Sequence, residues 1–161
     1  MSNFDPREFR NALGRFATGV TVVTTVDDAG KYYGVTANSY NSVSLDPPLI
    51  LWSLATRAGS FPAFERAEAF AVHVLGSAQE DLAMRFATRS EDKFAGLDTI
   101  EGYRGVPLLT HCAAHFECVT EERFQGGDHL IFLGRVVRFE QCDHDPLIFH
   151  QGRFGRVAQQ I

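Results

Sequence analysis

Hydrophobic residues near the N-terminus recur every three or four positions, which is the spacing of one face of a helix. Asp5 as N-cap, Pro6 in the first turn and Glu8 three residues after the cap form the pattern of a capping box. We therefore predict a helix from Phe4 to Thr18, ended by Gly19, that packs against the rest of the protein. Its predicted apolar face consists of Phe9, Ala12, Leu13 and Phe16.

Strand-forming residues dominate the next part of the chain, where β-branched side chains cluster between turns. Gly19–Val26 reads GVTVVTTV and predicts a strand. The turn Asp27–Gly30 leads into a second strand from Tyr32, which we expect to pair back as a hairpin. The run LILWSL after Pro48 is continuously apolar, so we predict a third strand that is covered on both faces.

Short helical segments alternate with further strands in the rest of the chain. We predict a short helix over Ser60–Ala67, a strand over Phe70–Leu75 and a helix over Ser77–Ala87 that opens with a capping box of Ser77 and Glu80. Further predicted segments are a Gly-rich linker over Ile100–Pro107, one long strand over Val106–Phe124, its partner from His129, and a final strand with a tail from Pro146. Together these segments predict a mainly β protein, a β-barrel with two or three peripheral helices in one domain spanning residues 1–161.

Composition and charge narrow the function classes. The net charge of −5 and the pI near 5.6 argue against nucleic acid as a partner, because there is no basic field to displace phosphate counterions. No apolar run reaches the ~20 residues that a bilayer requires, so we expect no membrane partner. The N-terminal stretch lacks an apolar signal core, which predicts a cytoplasmic location. The 14 Phe residues imply a large core, a subunit interface, or both.

Three cysteines without regular spacing do not predict a disulfide framework. Cys112, His115 and Cys118, with Cys142 and His144 beyond them, raise the possibility of a metal site. In the predicted strand, however, Cys112 and Cys118 would point to one side and His115 to the other, so the three ligands would not converge. We therefore predict no metal.

A polar stretch over Gly34–Pro48 connects two of the predicted strands. Six short hydroxyl and amide side chains fall within nine positions: Thr36, Asn38, Ser39, Asn41, Ser42 and Ser44. No charged residue occurs before Asp46. Short polar groups keep the backbone close to whatever lies above it and donate hydrogen bonds without bulk, which suits a flat hydrogen-bonding ligand better than a metal ion. A simple polar loop between two strands explains the same residues equally well.

A second polar segment follows the third predicted strand, after Ser53. Arg57 precedes a Gly-Ser pair, and Ser60 opens a short predicted helix. A guanidinium beside helix N-terminal amides is a reasonable cradle for an anion. The alternative is that Ser60 only marks a helix start.

Three other segments carry polar residues that allow a structural or a functional interpretation. The charged loop RSEDKF, ending at Lys93 and Phe94, is either a solvated connection or part of a site. His129 follows a flexible Gly-Gly-Asp turn, from which it could reach over a barrel mouth or bond to Asp128. His73 lies between valines in a predicted strand and is interpreted as an outward-facing or hydrogen-bonded barrel residue, not a catalyst.

Several of these segments together resemble the short-chain flavin reductase family, the reductase components of two-component flavin-dependent monooxygenases. VTANS at Val35–Ser39 followed by SVSLDPP at Ser42–Pro48 is similar to the flavin-binding signature of that family. The resemblance extends to FRNALGRFATGVTVVTT from Phe9, GGDHLIFLGRV from Gly126 and HQGRFGRV from His150. It covers nearly the whole chain in register.

The resemblance implies an antiparallel Greek-key split β-barrel that forms a homodimer, with FMN or FAD in a groove at the subunit interface. It also implies NADH, or possibly NADPH, folded against the flavin, which agrees with the absence of a GxGxxG fingerprint. The implied cofactor-binding residues are Val35, Thr36, Ala37, Asn38, Ser39, Ser53, Arg57, Ser60, Lys93, Phe94, Arg153 and Phe154. The implied catalytic residue is His129, which would position the nicotinamide rather than transfer a proton.

The function that the resemblance predicts is an NAD(P)H:flavin oxidoreductase, with NADH preferred, that supplies reduced flavin to a separate monooxygenase. No carboxylate pair or nucleophile–base pair stands out, which fits hydride transfer between cofactors better than hydrolysis. Three alternatives stay open: a non-catalytic flavin-binding or electron-transfer protein on the same barrel, an enzyme that retains its flavin while acting on a small organic substrate, and a carrier of apolar ligands.

Overall fold

The computed structural model describes residues 3–161, in which three α-helices and twelve strands occur. The first two residues, part of the stretch that predicts a cytoplasmic location, lie outside that range. The helices are α1 (Pro6–Leu13), α2 (Phe61–Arg66) and α3 (Glu80–Ala87). The strands are β1 (Thr18–Gly19), β2 (Thr21–Val26), β3 (Tyr32–Ala37), β4 (Asn41–Leu45), β5 (Pro48–Ala55), β6 (Ala69–Val74), β7 (Thr99–Glu101), β8 (Pro107–Leu109), β9 (Ala114–Gly126), β10 (His129–Gln141), β11 (Leu147–His150) and β12 (Arg153–Arg156). No helix in the described range is long and apolar enough to cross a membrane.

Seven strands form one sheet in the order β3-β2-β6-β9-β10-β5-β4, and every neighbouring pair is antiparallel. A smaller sheet has the order β1-β11-β12, and β7 pairs with β8. These sheets confirm the prediction of a mainly β, antiparallel protein with three helices. Within residues 3–161, no backbone ladder joins the edge strands β3 and β4, so backbone pairing does not close the large sheet into a barrel.

The large sheet has two apolar faces because successive side chains of a strand point to opposite sides. Along β2, Val23 contributes to one core cluster and Val22 to another. The first cluster centres on Trp52, whose indole stacks on Phe132 with ring centroids 4.7 Å apart and meets Phe64 edge-on at 5.0 Å. All three rings are essentially fully buried. Burial of such large rings supplies much of the hydrophobic stabilisation of this fold.

The second cluster lies on the other face and is covered by α3 and the small sheet. Phe86 and Ala83 of α3 are fully buried there. Gly34 of β3 permits this packing, because a Cβ at that position would collide with the ring of Phe86. The α3 helix therefore lies directly against β3, the strand that leads into the polar stretch.

The first helix differs from its prediction in length and in packing. It ends at Leu13, capped by Gly14, instead of continuing to Thr18. The carboxylate of Asp5 accepts hydrogen bonds from the backbone N–H groups of Arg7 and Glu8, as an N-cap does. However, α1 has no buried residue, so the predicted packing against the rest of the protein is wrong for the single chain. Phe9 and Leu13 of α1 are exposed, as are Phe4 before the helix and Phe16 after it.

The prediction that the third strand is covered on both faces is also wrong for the single chain. In β5, Ile50, Trp52 and Leu54 are buried, whereas the intervening residues are only half-buried. One face of β5 therefore belongs to the first cluster and the other lies near the surface. The continuous apolar sequence conceals this alternation.

Three other predicted boundaries move. His111, with φ at 62°, interrupts the predicted long strand and divides it into β8 and β9. The α3 helix begins at Glu80 rather than Ser77, and its N-cap Gln79 makes no capping hydrogen bond from its side chain, so the predicted capping box is wrong. The predicted final strand and tail form the hairpin of β11 and β12.

His73 is a hydrogen-bonded residue of the sheet interior, one of the two interpretations given above. Its Nδ1 lies 3.0 Å from the carbonyl oxygen of Val22, and its Nε2 accepts the backbone N–H of Leu109 at 3.1 Å. Because Nε2 acts as an acceptor, Nδ1 carries the proton and donates. Burial lowers the pKa of His73 to about 4. The imidazole is therefore a neutral crosslink between β2, β6 and β8.

The cysteine–histidine set is dispersed. Cys112 lies in the loop before β9 and joins the second cluster, whereas Cys118 joins the first. The prediction that these two side chains share a face is therefore wrong, because the strand begins only at Ala114. Burial raises the pKa of the Cys112 thiol to about 11 and that of Cys118 to about 12. In the described part of the chain, no group of three or more potential ligands is arranged to hold a metal ion.

Candidate functional site

The polar stretch begins at an edge strand. β3 pairs with β2 on one side only, so alternate backbone N–H and C=O groups along its other side have no partner in a ladder. Because Asp27 and Lys31 form a hydrogen-bonded pair, Tyr33, Val35 and Ala37 face β2 in this register, and the outward-facing backbone groups are those of Tyr32, Gly34 and Thr36. An edge of this kind offers regularly spaced donors and acceptors to a flat ligand.

β5 offers a second unpaired edge facing the polar stretch. β4 pairs with β5 only from Pro48 to Leu51, which leaves the part from Trp52 to Ala55 without a β4 partner. The hydroxyl of Ser39 connects this edge to the end of β3. It donates to the carbonyl oxygen of Ser53 and accepts the Ser53 N–H, both at 3.0 Å. Two predicted residues, Ser39 and Ser53, are thus in direct contact.

The contact between Ser39 and Ser53 brings the end of β3 to the β5 edge, although five ladders separate β3 from β5 in the sheet. Arg57 and Ser60 follow β5 along the chain, in the segment that leads to α2. We call the region bounded by the β3 edge, the β5 edge and this segment the slot.

Two hydroxyl groups of the polar stretch are already used within the protein. Thr36 Oγ1 donates to the carbonyl oxygen of Ala83 in α3 at 2.6 Å. Ser39 uses both its donor and an acceptor position on Ser53. A hydroxyl has only one proton to donate, so neither side chain has a donor left for a ligand. Within Val35–Ser39, main-chain groups and the exposed Asn38 side chain are the donors that remain.

His129 stands at the far end of β5. It opens β10 and pairs with Ala55 of β5, while the Asp128 carbonyl oxygen accepts the Thr56 N–H at 2.9 Å. The His129 Nδ1 lies 2.7 Å from the Asp128 carboxylate, and the imidazole is 44% exposed. His129 is therefore a turn histidine hydrogen-bonded to Asp128 through Nδ1, and its Nε2 is directed away from that bond.

The electrostatics of this turn follow from the same contact. The hydrogen bond from His129 is the main cause that lowers the pKa of the Asp128 carboxyl, and the nearby charge of Arg57 adds to it. An ionised carboxylate only accepts, so Nδ1 of His129 carries a proton. In the neutral imidazole, Nε2 is then a hydrogen-bond acceptor.

Ser60 and Arg57 retain free polar groups. Ser60 is the N-cap residue of α2, but its side chain makes no capping hydrogen bond. The hydroxyl therefore does not have the purely structural role of a cap. Arg57 is exposed, and its guanidinium makes no hydrogen bond or ion pair with any residue in the range 3–161. Both groups are available to an anion.

Lys93 reaches β3 from the loop after α3. Its Nζ donates to the carbonyl oxygen of Phe86 at 2.9 Å and to that of Gly34 at 3.3 Å. Burial lowers the pKa of this ammonium, and no carboxylate among the described residues lies within ion-pair distance of it. A half-buried ammonium group that has no acidic partner and contacts an edge strand is well suited to bind a phosphate.

Phe94 fixes the same loop. Its ring meets Phe86 edge-on with centroids 5.0 Å apart and Tyr32 at 5.5 Å. Arg85 holds the loop from the helix, since its guanidinium donates to the carbonyl oxygens of Lys93 and Ala95. No sequence signal indicates Arg85 and Tyr32, because their contacts with the loop after α3 follow neither helical nor strand spacing.

Arg153 and Phe154 lie apart from this arrangement. They belong to β12 in the small sheet, where Phe154 packs on Phe149 with ring centroids 5.4 Å apart. Arg153 is exposed, and both residues line a groove of about 560 Å³ at the β11–β12 turn. In the single chain, no described hydrogen bond connects either residue to the slot between β3 and β5.

Comparison with known proteins identifies the family of this chain. Residues 13–158 match the family described as "Flavin reductase like domain". The FMN reductase (NADH) SmoA of Agrobacterium fabrum is 48% identical over 154 residues, 96% of this chain and 87% of that protein. The reductase subunit HsaB of a flavin-dependent monooxygenase from Rhodococcus jostii is 42% identical, over 95% of this chain and 78% of that protein.

A longer relative and a solved structure complete the comparison. The chain spans about half, 49%, of a probable flavin reductase of Rhizobium meliloti, with 46% identity over 94% of this chain. The NADH:FAD oxidoreductase SgcE6 of Streptomyces globisporus, solved with NAD and FAD fragments, superposes with a TM-score of 0.90 at 39% identity and covers 98% of both chains. Because the family match extends over most of the sequence, the chain belongs to the flavin reductase-like domain family.

Proposed function

We propose that this protein is an NAD(P)H:flavin oxidoreductase that reduces FMN or FAD and supplies the reduced flavin to a separate monooxygenase. The observation that carries the proposal is the slot between β3 and β5, which combines unpaired main-chain groups with the unpaired guanidinium of Arg57, and the Lys93 ammonium that contacts β3. Relatives that are named as an FMN reductase and as a monooxygenase reductase subunit support the same reaction.

The residues of the slot fit a flavin nucleotide. Main-chain groups of Val35–Ser39 would hold the edge of the flat ring, where negative charge develops on reduction. Lys93 on the β3 side, with Arg57 and Ser60 on the β5 side, would bind the phosphate. Phe94 would support the loop that carries Lys93. The hydroxyl groups of Thr36 and Ser39 already donate to backbone carbonyl oxygens within the protein. The flavin would therefore be bound by main-chain groups of this segment and not by these two hydroxyl protons.

The reduced nicotinamide would supply the hydride and the flavin would accept it, so the residues of this chain would need no covalent chemistry. The protein would hold the nicotinamide and flavin rings in contact, in one orientation. Such positioning removes much of the entropic barrier to the reaction. No residue of the slot has to move a proton for this step.

His129 would position the nicotinamide. Asp128 fixes the Nδ1 proton of the imidazole, so Nε2 faces outward as an acceptor. An acceptor at that atom matches the N–H groups of the nicotinamide carboxamide. This role makes His129 a residue that orients the substrate, as the resemblance implies. Arg153 and Phe154 would complete the nicotinamide site from the small sheet.

NADH is the proposed hydride donor, by analogy with relatives whose names specify NADH. The same relatives differ in the flavin that they name, FMN in one and FAD in the other. The choice between FMN and FAD therefore depends on whether this chain contacts the adenosine half of FAD.

Turnover of free flavin tests the proposal. The purified protein is mixed with NADH and an excess of FMN or FAD under air, and absorbance at 340 nm is followed. We expect NADH consumption to exceed the protein concentration many times over, at a rate that rises with added flavin. Oxygen regenerates the flavin, so the reaction continues until NADH is exhausted.

Two outcomes would favour the alternatives. Reduction of one equivalent of flavin followed by no further NADH consumption indicates an electron-transfer or flavin-binding protein. Turnover that is independent of added flavin indicates an enzyme that retains its cofactor. Adding a purified flavin-dependent monooxygenase with its substrate then measures transfer of reduced flavin, since product forms in proportion to NADH.

We further propose that the protein is a cytoplasmic homodimer with a split Greek-key barrel in each subunit. The exposed apolar side chains at α1 support a subunit interface, because Phe9 and Leu13 on the helix and Phe4 and Phe16 on either side of it are all large and exposed. Leu45 of β4, which is 96% exposed, adds to the apolar surface that a single chain leaves uncovered.

The mass in solution tests the homodimer. We expect light scattering to give twice the mass of 17.9 kDa for the native protein, and the single-chain mass for Leu13→Asp combined with Phe16→Asp. Met84→Asp is the matched control, since Met84 is an isolated exposed apolar residue on α3 with 52% exposure. A native protein that remains monomeric at high concentration contradicts the proposal, as does dissociation caused equally by the control.

A further inference from the structure

The turn between β11 and β12 contains a residue in an unfavourable backbone conformation. His150 pairs with Arg153, so Gln151 and Gly152 form a two-residue hairpin loop. Both have a left-handed backbone, with φ at 50° for Gln151 and 75° for Gly152. Glycine adopts this conformation readily, whereas a residue with a long side chain seldom does. The conformation of Gln151 therefore depends on contacts from outside the hairpin.

The end of α1 supplies two such contacts. The backbone N–H of Gln151 donates to the carbonyl oxygen of Gly14 at 3.0 Å. The side-chain amide of Gln151, with its oxygen turned toward Arg15, accepts from the guanidinium Nη1 at 3.0 Å and Nε at 3.3 Å. The two segments are close together, since a Cβ at Gly14 would lie 3.6 Å from Cα of Gln151. Both the main chain and the side chain of Gln151 are thus held by α1 and the residue after its cap.

The neighbouring backbone ladder does not extend to this turn. β1 pairs with β11 only through Thr18 and Gly19, which lie opposite Phe149 and Ile148. His150 and the hairpin loop lie beyond the last of these pairs. The contacts with Gly14 and Arg15 are therefore the ones that fix the loop from this side of the small sheet.

We infer that Arg15 is a positioning residue for the nicotinamide nucleotide, which it orders through Gln151 without contacting the nucleotide itself. This role rests on the proposed function, in which Arg153 and Phe154 complete the nicotinamide site. Both residues follow the loop directly and line the groove of about 560 Å³ together with Gln151. The backbone conformation of the loop sets the direction in which the chain enters β12, so it sets where these side chains lie.

The two groove residues depend on the loop to different degrees. Phe154 is also held by Phe149, with ring centroids 5.4 Å apart. Arg153 is exposed, and its side chain has no hydrogen bond or ion pair with the other residues described. A guanidinium at this place would bind a phosphate group of the nucleotide. Its position relies on the loop alone, so loss of the Arg15 contact should weaken nucleotide binding and leave the flavin site unchanged.

A double-mutant cycle tests this role. The KM values for NADH and FMN are measured for Arg15→Met, for Gln151→Gly and for the double variant. Arg15→Met should raise the KM for NADH about threefold, the effect of one exposed hydrogen bond, with kcat and the KM for FMN unchanged. Gln151→Gly removes the partner of Arg15 and adopts the left-handed turn readily. Adding Arg15→Met to Gln151→Gly should therefore have no further effect on the KM for NADH.

Arg10→Met is the matched control. Arg10 is exposed in the last turn of α1, and its side chain has no hydrogen bond or ion pair in the range 3–161. The control removes the same charge from the same end of the helix and should leave both KM values unchanged. If it raises the KM for NADH as much as Arg15→Met does, the helix charge and not the turn is responsible. An equal effect of Arg15→Met with and without Gln151→Gly, or an equal effect on the KM for FMN, also overturns the role.

Hydrogen exchange at the turn gives a readout that needs no turnover. The peptide that contains Gln151 should exchange faster in Arg15→Met than in the native protein, and at the native rate in Arg10→Met. Unchanged exchange in Arg15→Met overturns the positioning role even if the KM for NADH rises, because Arg15 would then act on the nucleotide directly. If the native protein fails to oxidise NADH with either flavin, the proposed function fails, whereas exchange still decides whether Arg15 fixes the turn.

Discussion

Two histidines show how differently this chain treats polar groups in its interior and at its proposed site. His73 lies among β2, β6 and β8, has no exposed surface, and uses both ring nitrogens on backbone groups. His129 opens β10 at a turn, is 44% exposed, and uses only Nδ1, on Asp128. The interior histidine has no capacity left for a ligand, and the surface histidine retains an acceptor.

The same contrast holds for other polar side chains. Thr24 and Thr25 are buried and donate to backbone carbonyl oxygens of β8 and β6, so they serve only the fold. Ser60 and Arg57, by contrast, have no hydrogen-bond partner for their side chains in the described part of the chain. A polar side chain therefore indicates a binding site only where its donors or acceptors have no partner within the protein.

The largest predicted effect is a loss of folding stability on acidification, caused by the buried His73. The pKa of His73 is about 4 in the folded protein and 6.5 for an ordinary histidine. Between these two pH values, His73 is protonated in the unfolded chain and neutral in the folded protein. Stability is complete above pH 6.5 and falls as the pH decreases from 6.5 through 4, by about 3 kcal/mol from this group. Urea unfolding at a series of pH values measures the decrease.

His73→Gln provides the comparison, because glutamine does not titrate. We expect the variant to be less stable than the native protein at pH 7.5, and its free energy of unfolding to decrease less between pH 6.5 and 4. Identical pH slopes for the two proteins would show that His73 does not contribute to the acid sensitivity.

Removal of the Lys93 charge should have the next largest effect, and on flavin binding. Lys93→Met should raise the KM for FMN about tenfold or more, the loss expected for a charge-assisted contact to phosphate. Riboflavin lacks the phosphate and is the internal control, so its KM should change much less. If both KM values rise by the same factor, Lys93 acts through the loop structure and not through the phosphate.

Truncation of the surface histidine should have the smallest of the three effects. His129→Ala should raise the KM for NADH about three- to tenfold, the loss of one hydrogen bond, and change the KM for flavin less. His144→Ala is the control, since it removes an exposed histidine from the loop between β10 and β11. Equal changes in the two KM values would remove His129 from its proposed role.

Local patterns predict the elements near turns and caps well. The β2–β3 hairpin follows from β-branched residues around the Asp27 turn, and the backbone N–H groups of Ala29 and Lys31 both donate to that aspartate. The short helix α2 forms within Ser60–Ala67, as its Pro62 indicates. The family could also be recognised from sequence, because its signature at Val35–Ser39 is short and contiguous.

Other features depend on contacts that are distant in sequence. The bonds of Ser39 to Ser53, and of Lys93 to Gly34, join segments with no common periodicity. The α1 helix was predicted to pack on the barrel because its face is apolar, but an apolar pattern does not specify which surface, or which subunit, covers it. The break at His111 depends on a left-handed backbone that no local signal marks.

A crystal structure with FMN bound tests the central claim most directly. The account predicts flavin ring density along the edge of β3, with main-chain groups of Val35–Ser39 within hydrogen-bond distance of the ring and the phosphate beside Lys93 or Arg57. It also predicts an open ring face toward His129. Flavin bound elsewhere, with this segment remote from the ring, would contradict the account.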